Sequence, residues 1–142
     1  AIIHGLLKLP ADSIVAIDQQ RMRSLPLNTN EPMAPVREVR YSYSPMGQQM
    51  AIECNKYAWD IYNMSAKTTD INLALQVAEQ GLRLYPLPAL YDTYARLLYI
   101  SGEKEKAMEQ QRKAIAYQLK RNIPAMEFEK ILREMETGTF KK

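Results

Sequence analysis

The composition of the chain already excludes several classes of protein. With 46% hydrophobic and 25% charged residues over 142 positions, the chain is expected to form one globular domain with a core, or part of one. Its 19 basic and 16 acidic residues give a net charge of +3, without the concentrated basic face that nucleic-acid binding requires. A single cysteine, Cys54, excludes an internal disulfide and a multi-cysteine zinc site. No apolar run approaches the ~18 residues that a membrane span needs.

Residues 1–45 are predicted to form a helix and a proline-rich linker that wraps around the rest of the chain. Asp12 or Ser13 can cap a helix that extends to Arg23, because their side-chain oxygens accept hydrogen bonds from free amides at a helix start. Four prolines then fall within residues 26–45. Since proline fixes φ and lacks an amide donor, this stretch is predicted to be a linker. The chain begins with Ala, and we expect it to be a piece of a longer protein.

Five helices are predicted after the linker, which makes the expected fold all-α. They are expected over residues 46–65, 70–84, 88–102, 103–120 and about 122–137. Asp70 is expected to cap the second helix, and Pro86 to end it. The last helix has a single apolar stripe and is predicted to be a capping helix that closes the helical domain, residues 46–137. Residues 138–142 are predicted to be a frayed tail.

One helix-turn-helix unit is written twice within this helical region. Residues 54–65 align with residues 91–102, so that a Tyr-Ala pair recurs and a second tyrosine follows each pair. Each copy is followed by a helix with two small residues seven positions apart, which are Ala74 and Gly81 in the first copy and Ala107 and Ala114 in the second. A repeat of roughly 34 residues with small residues where helices cross is typical of tetratricopeptide arrays.

Residues 51–121 resemble the tetratricopeptide family through these positions. The resemblance implies antiparallel helix pairs stacked into a superhelix, in which the first helix of each pair lines a concave groove. It also implies that the groove binds a peptide or a partner domain. Transferred by position, the residues expected to line the groove are Asn55, Trp59, Tyr62, Asn63, Asp92, Arg96, Tyr99, Lys130 and Arg133.

Two positions of the expected groove carry aromatic residues or arginine in both copies. Trp59 and Arg96 are equivalent, and so are Tyr62 and Tyr99. Aromatic residues and arginine in one concavity are typical of protein-binding hot spots. The same helical spacing of tyrosine and tryptophan also suits packing between helices, so both interpretations of Trp59, Tyr62 and Tyr99 stay open.

A second resemblance covers about residues 54–120. The stretch with Asn55, Tyr57 and Trp59, the longer loop after it, and the run from Tyr91 to Gly102 resemble the helical C-terminal region that follows a thioredoxin-like domain in many Bacteroidetes-type proteins. The resemblance implies a redox domain elsewhere in the parent protein, joined through residues 1–45. It also implies a location in the bacterial cell envelope, in the periplasm.

The sequence lacks the parts of a catalytic site. His4 is the only histidine and lies far from the helical region, so neither a Ser-His-Asp nor a Cys-His pair can be assembled there. No phosphate-binding glycine motif or HExxH motif is present. A lone cysteine on a helix face, as Cys54 is, is usually a small buried hydrophobe. We therefore expect no enzyme activity, no cofactor and no metal from this chain.

Two functional hypotheses follow. The first is a non-catalytic protein-interaction module that binds a peptide or partner domain in the groove around Trp59, Arg96 and Tyr99. The alternative is a structural or accessory region of a thioredoxin-like thiol-disulfide oxidoreductase, packed on the missing redox domain or on a second copy of the chain. Two repeats and a cap are near the lower limit for a stable array, so a homodimer is one of the expected states.

Overall fold

The computed structural model describes residues 44–142, so the helix and nearly all of the linker predicted for residues 1–45 lie outside the described residues. Within residues 44–142 the chain forms five α-helices and no strand, which confirms the all-α prediction for this part. The helices are α1 (Pro45–Met64), α2 (Thr68–Leu84), α3 (Pro88–Ile100), α4 (Lys104–Lys120) and α5 (Met126–Thr137). No helix of this stretch combines the length and apolar character needed to cross a membrane.

The start of α1 is set by Ser44 and Pro45. The Ser44 side chain accepts a hydrogen bond from the Gly47 N–H at 3.0 Å, which gives a partner to one of the amides that the first turn leaves unpaired. Pro45 lies in the first turn, where its missing N–H costs little and its φ is already helical. Pro88 has the same place in α3, as predicted.

The prediction that Asp70 caps the second helix is wrong. α2 begins at Thr68, with Lys67 in the cap position and no side-chain cap, so Asp70 lies inside the first turn. There it accepts a hydrogen bond from Ser65 Oγ at 2.5 Å. The carboxylate orders the loop between α1 and α2 and lies near the positive end of the α2 dipole.

The core forms where helices cross at small residues. α1 packs mainly on α2 and α3 mainly on α4, while α3 also contacts α1 and α2. The small residues predicted at the crossings are all buried, namely Ala74, Gly81, Ala107 and Ala114. The approach is closest at Gly81, where a Cβ atom would lie 2.5 Å from Leu90 Cδ2 and 2.7 Å from Cys54 Cβ. Glycine is therefore what lets α2 lie this close to its neighbours.

The chain turns back onto the helices after α5. Gly138 has φ +74°, a left-handed conformation that glycine adopts without a steric penalty. The N–H groups of Thr139 and Phe140 then donate to the Glu134 carbonyl at 2.8 and 3.0 Å, which closes the turn. Phe140 is only 7% exposed. The prediction of a frayed tail over residues 138–142 is wrong, because burial of this ring holds the segment against the helices.

Candidate functional site

Two pairs of candidate residues meet where α1 contacts α3. Trp59 and Tyr62 lie on one face of α1, and Arg96 and Tyr99 lie on one face of α3, because residues three positions apart in a helix are neighbours. The rings of Trp59 and Tyr62 stack with their centroids 5.3 Å apart. The Arg96 guanidinium lies over the Trp59 ring, 5.1 Å from its centroid. These four side chains are called the Arg96 cluster below, and Phe140 packs against them.

Arg96 is held at the centre of the cluster by a carboxylate and two rings. Its Nε donates to Asp92 Oδ2 at 3.0 Å, one turn earlier on α3. In addition to its contact with Trp59, its guanidinium lies 6.0 Å from the centroid of the Phe140 ring. Aromatic faces attract a guanidinium through their quadrupole, and the ion pair with Asp92 fixes its direction. The arginine therefore has one orientation, with about 20% of its side chain open to solvent.

Asp92 anchors the cluster to the other helices. It is buried, and its second oxygen, Oδ1, accepts a hydrogen bond from Gln111 Nε2 at 2.9 Å. Gln111 is fully buried on α4 and also donates to the Phe128 carbonyl of α5 at 3.0 Å. Its Oε1 atom has no hydrogen-bond partner among the described residues. Asp92, predicted to line a groove, instead joins α3 to α4 and, through Gln111, to α5.

The two tyrosines of the cluster are buried, and the ring of each contacts one residue of the segment that follows α5. Tyr62 is 3% exposed and Tyr99 is 9% exposed, and burial raises the pKa of the Tyr62 phenol. The rings of Tyr99 and Phe140 are nearly perpendicular, with their centroids 5.1 Å apart. The Lys142 ammonium lies 5.1 Å from the centroid of the Tyr62 ring. Both rings therefore serve as platforms for residues of the segment that follows α5.

Sequence reasoning missed that Phe140 and Lys142 contact this site. Phe140 is buried against Tyr99 and Arg96, and Lys142 donates to the carbonyl of Ser65 in addition to its contact with Tyr62. One signal was available, because an apolar residue just after a helix-ending glycine often packs back on the last helical turns. The contacts of Phe140 with α3 and of Lys142 with α1 are distant in sequence, and no local pattern predicts them.

The remaining candidate residues lie outside the cluster. Asn55 accepts a hydrogen bond from Thr93 Oγ1 at 2.6 Å and so joins α1 to α3. Asn63, Lys130 and Arg133 are exposed and contribute no ring contact or side-chain hydrogen bond to the Arg96 cluster. Within residues 44–142, the structure therefore brings together the aromatic residues and Arg96 but not these exposed polar residues.

A cavity of about 360 Å³ lies next to the cluster and includes Lys142 in its wall. Its lining mixes hydroxyl, amide and aliphatic groups, from Ala66, Thr68, Ile71, Asn72, Ile100, Ser101 and Lys142. A volume of this size is at the lower end of the range for small-ligand sites. The cavity continues the surface available to a ligand from the cluster to the loop between α1 and α2.

Cys54 lies in the core and not in the site. It is completely buried, and this burial raises the pKa of its thiol to about 11. The thiolate is the reactive form of cysteine, so the folded chain holds this side chain in its unreactive state.

Comparison with known proteins gives no assignment to set beside this geometry: no family model, no curated protein and no solved structure matches the chain.

Proposed function

We propose that this chain is a non-catalytic protein-interaction module whose Arg96 cluster binds a peptide or a segment of a partner domain. The observation that supports it most is the Arg96 guanidinium held over the Trp59 ring, with its ion pair already made to Asp92. Arginine and tryptophan are the residues enriched in binding hot spots. Trp59 and Arg96 are both only partly buried, so a partner has access to them.

We also propose that the helix pairs form a tetratricopeptide-like array. The packing of α1 on α2 and of α3 on α4 supports this, as do the buried small residues at the crossings. In this arrangement α5 is the capping helix, and the contact between α1 and α3 creates the surface that displays the Arg96 cluster.

The test is a selection from a random peptide display library with the immobilised chain, followed by binding measurements in solution. The cluster variant is Trp59→Ala with Arg96→Gln, which removes both partly exposed members without placing a second carboxylate beside Asp92. The matched control is Met126→Ala with Lys130→Gln, which removes one exposed apolar residue and one exposed cation from α5.

Peptides that bind the wild type and the control, but not a cluster variant that still unfolds cooperatively, support the proposal. No selected peptide, or equal binding to all three proteins, would overturn it. The proposal that the chain is non-catalytic has its own assay. Disulfide reductase activity that disappears with Cys54→Ala would refute it.

A second candidate function is favoured by an apolar surface on the outer side of α1 and α2. Met64 is 85% exposed, and it borders an open cavity of about 520 Å³ together with Tyr57, Ile61 and Leu73. Such surfaces often mark contacts with other domains. This supports the structural alternative, in which the helices pack on a thioredoxin-like domain or on a second copy. A concentration series in light scattering, with Met64→Glu as the variant, tests self-association through this surface.

A further inference from the structure

The segment after α5 occupies the Arg96 cluster much as a bound peptide would. It leaves the helix at Gly138 and places Phe140 against Tyr99 and Arg96, and Lys142 against Tyr62. The partners in these contacts belong to α1 and α3 and not to α5. The segment therefore shows which chemical groups the surface formed by α1 and α3 accepts.

The contacting residues of the segment alternate along the chain. Phe140 is buried and Lys142, although exposed, contacts Tyr62 and Ser65, whereas Thr139 and Lys141 are exposed and have no ring contact with the cluster. Residues two positions apart in a non-helical peptide can face the same way, which is how extended peptides present side chains to a surface. The surface thus has two subsites, one that accepts an aromatic ring and one that accepts a cation.

The chemistry of the two subsites indicates which side chains they favour. At the ring subsite, the charge of Arg96 is paired with Asp92, and the Lys104 ammonium already lies 5.3 Å from the centroid of the Tyr99 ring. The cation subsite consists of the Tyr62 ring face and the Ser65 carbonyl, both of which are electron-rich. Both subsites therefore favour a peptide that carries an aromatic side chain and a positive charge.

The segment is anchored to the cluster by few groups. The backbone hydrogen bonds of the segment come from the N–H groups of residues 138–140 and go to the carbonyls of Glu134 and Met135, both on α5. Beyond that turn, the described contacts with α1 and α3 are made by the side chains of Phe140 and Lys142. A second peptide with the same two side chains would bind the same groups, and it can displace the segment in proportion to its concentration and affinity.

We propose that residues 138–142 are an intramolecular occupant of the peptide site, and that the site binds peptides with an aromatic residue two positions before a lysine or arginine. This inference rests on the function proposed above and specifies its ligand. The segment is the competitor that such a peptide must displace.

The test uses a fluorescein-labelled peptide, Gly-Thr-Phe-Lys-Lys with an amidated end, and fluorescence anisotropy. It is titrated with the wild type, with Phe140→Ala/Lys142→Ala, and with the matched control Thr139→Ala/Lys141→Ala, which changes two exposed residues of the same segment that have no ring contact with the cluster. We expect the first variant to bind at least about tenfold more tightly than the wild type and the control. The peptide Gly-Thr-Ala-Lys-Ala is expected not to bind.

The variant Lys142→Ala alone keeps the buried Phe140 ring, so the test does not depend on the chain tolerating loss of that ring. It is expected to give part of the gain in affinity. Equal affinity for all the proteins, or no binding to the variants while they still unfold cooperatively, would overturn the inference. If library peptides nevertheless need Trp59 and Arg96, the proposed function stands and only the assignment of this segment fails. If neither kind of peptide binds, both fail.

Discussion

At position 81, two neighbouring side chains leave no room for a Cβ atom. An added methyl group would lie 2.5 Å from Leu90 Cδ2 and 2.7 Å from Cys54 Cβ. The Leu90 atom is the end of a side chain and can shift, but the Cys54 atom is attached directly to the backbone of α1. We therefore expect Gly81→Ala to force α2 away from α1, although alanine is the better helix former by about 1 kcal/mol.

Overpacking of a core costs typically about 1–3 kcal/mol, so Gly81→Ala should lower the free energy of unfolding by roughly 1 kcal/mol net. Urea denaturation measures this. Asn72→Ala on the exposed face of the same helix is the control, since it reports helix propensity alone. It should raise the free energy of unfolding by roughly a few tenths of a kcal/mol. Equal or higher stability of Gly81→Ala would mean that α1 and α2 separate without cost.

The thiol of Cys54 gives a second prediction at the residue scale. It is fully buried, and its pKa is raised to about 11. At pH 8 a thiol reagent should therefore modify the native chain at least about a hundredfold more slowly than the urea-unfolded chain. The absorbance of the chromophore that the reagent releases measures the rate of modification of the native chain and of the unfolded chain. Fast labelling of protein that remains folded would contradict the buried position and reopen a redox role.

At the scale of the helices, Asp92 is the residue through which α3 holds both the cluster and α4. Asp92→Ala removes the partner of Arg96 and leaves the amide of Gln111, which is fully buried, without one of its acceptors. Leaving buried groups unsatisfied costs about 1–3 kcal/mol. We expect a loss of roughly 2 kcal/mol in unfolding free energy, together with a change in the fluorescence of Trp59, the only tryptophan.

The control for Asp92→Ala is Glu109→Ala. Glu109 pairs with Lys113 at the same helical spacing, but both side chains are exposed, and such pairs contribute about 0–1 kcal/mol. Its loss should leave the Trp59 spectrum unchanged. If the two substitutions cost the same, Asp92 would be an ordinary surface ion pair and not the link between α3 and α4.

At the scale of the whole molecule, the sequence predicted those features of the fold that depend on local sequence patterns. Prolines and apolar periodicity located the helices, and the repeat located the small residues at the crossings, of which Gly81 is the tightest. The start of α2 was misplaced because Asp70 bonds to Ser65 across the loop, and a cap preference does not reveal that. The docking of Phe140 was missed because its partners are remote in sequence.

The candidate site was predictable only in part, for a physical reason. Helical spacing places Tyr62 and Tyr99 on the inner faces of their helices, but a ring at such a position serves equally well in packing or in a groove. Which role it takes depends on what covers it, here Phe140 and Lys142. The exposed position of Lys130 likewise depends on how α5 is oriented, which its own sequence leaves open.

The last prediction concerns the stability of the whole molecule at high pH. Burial raises the pKa of Cys54 from 9.0 to about 11 and that of Tyr91 to about 12, and it raises the pKa of Tyr62 and Tyr94 as well. Each group therefore loses its proton more easily in the unfolded chain than in the folded one. Their contribution to stability is fully present below the unfolded pKa and is lost as the pH rises through the folded pKa.

Stability should consequently fall from about pH 9, first through Cys54 and above pH 10 through the tyrosines as well. The cysteine contributes roughly 2 kcal/mol of the loss by pH 11. Urea denaturation at a series of pH values measures the slope. In Cys54→Ala the fall should begin about one pH unit later, whereas the exposed-residue control Asn72→Ala should keep the wild-type profile. If Cys54→Ala falls from the same pH as the wild type, the thiol is not protected by burial, and the core around Gly81 must open to solvent.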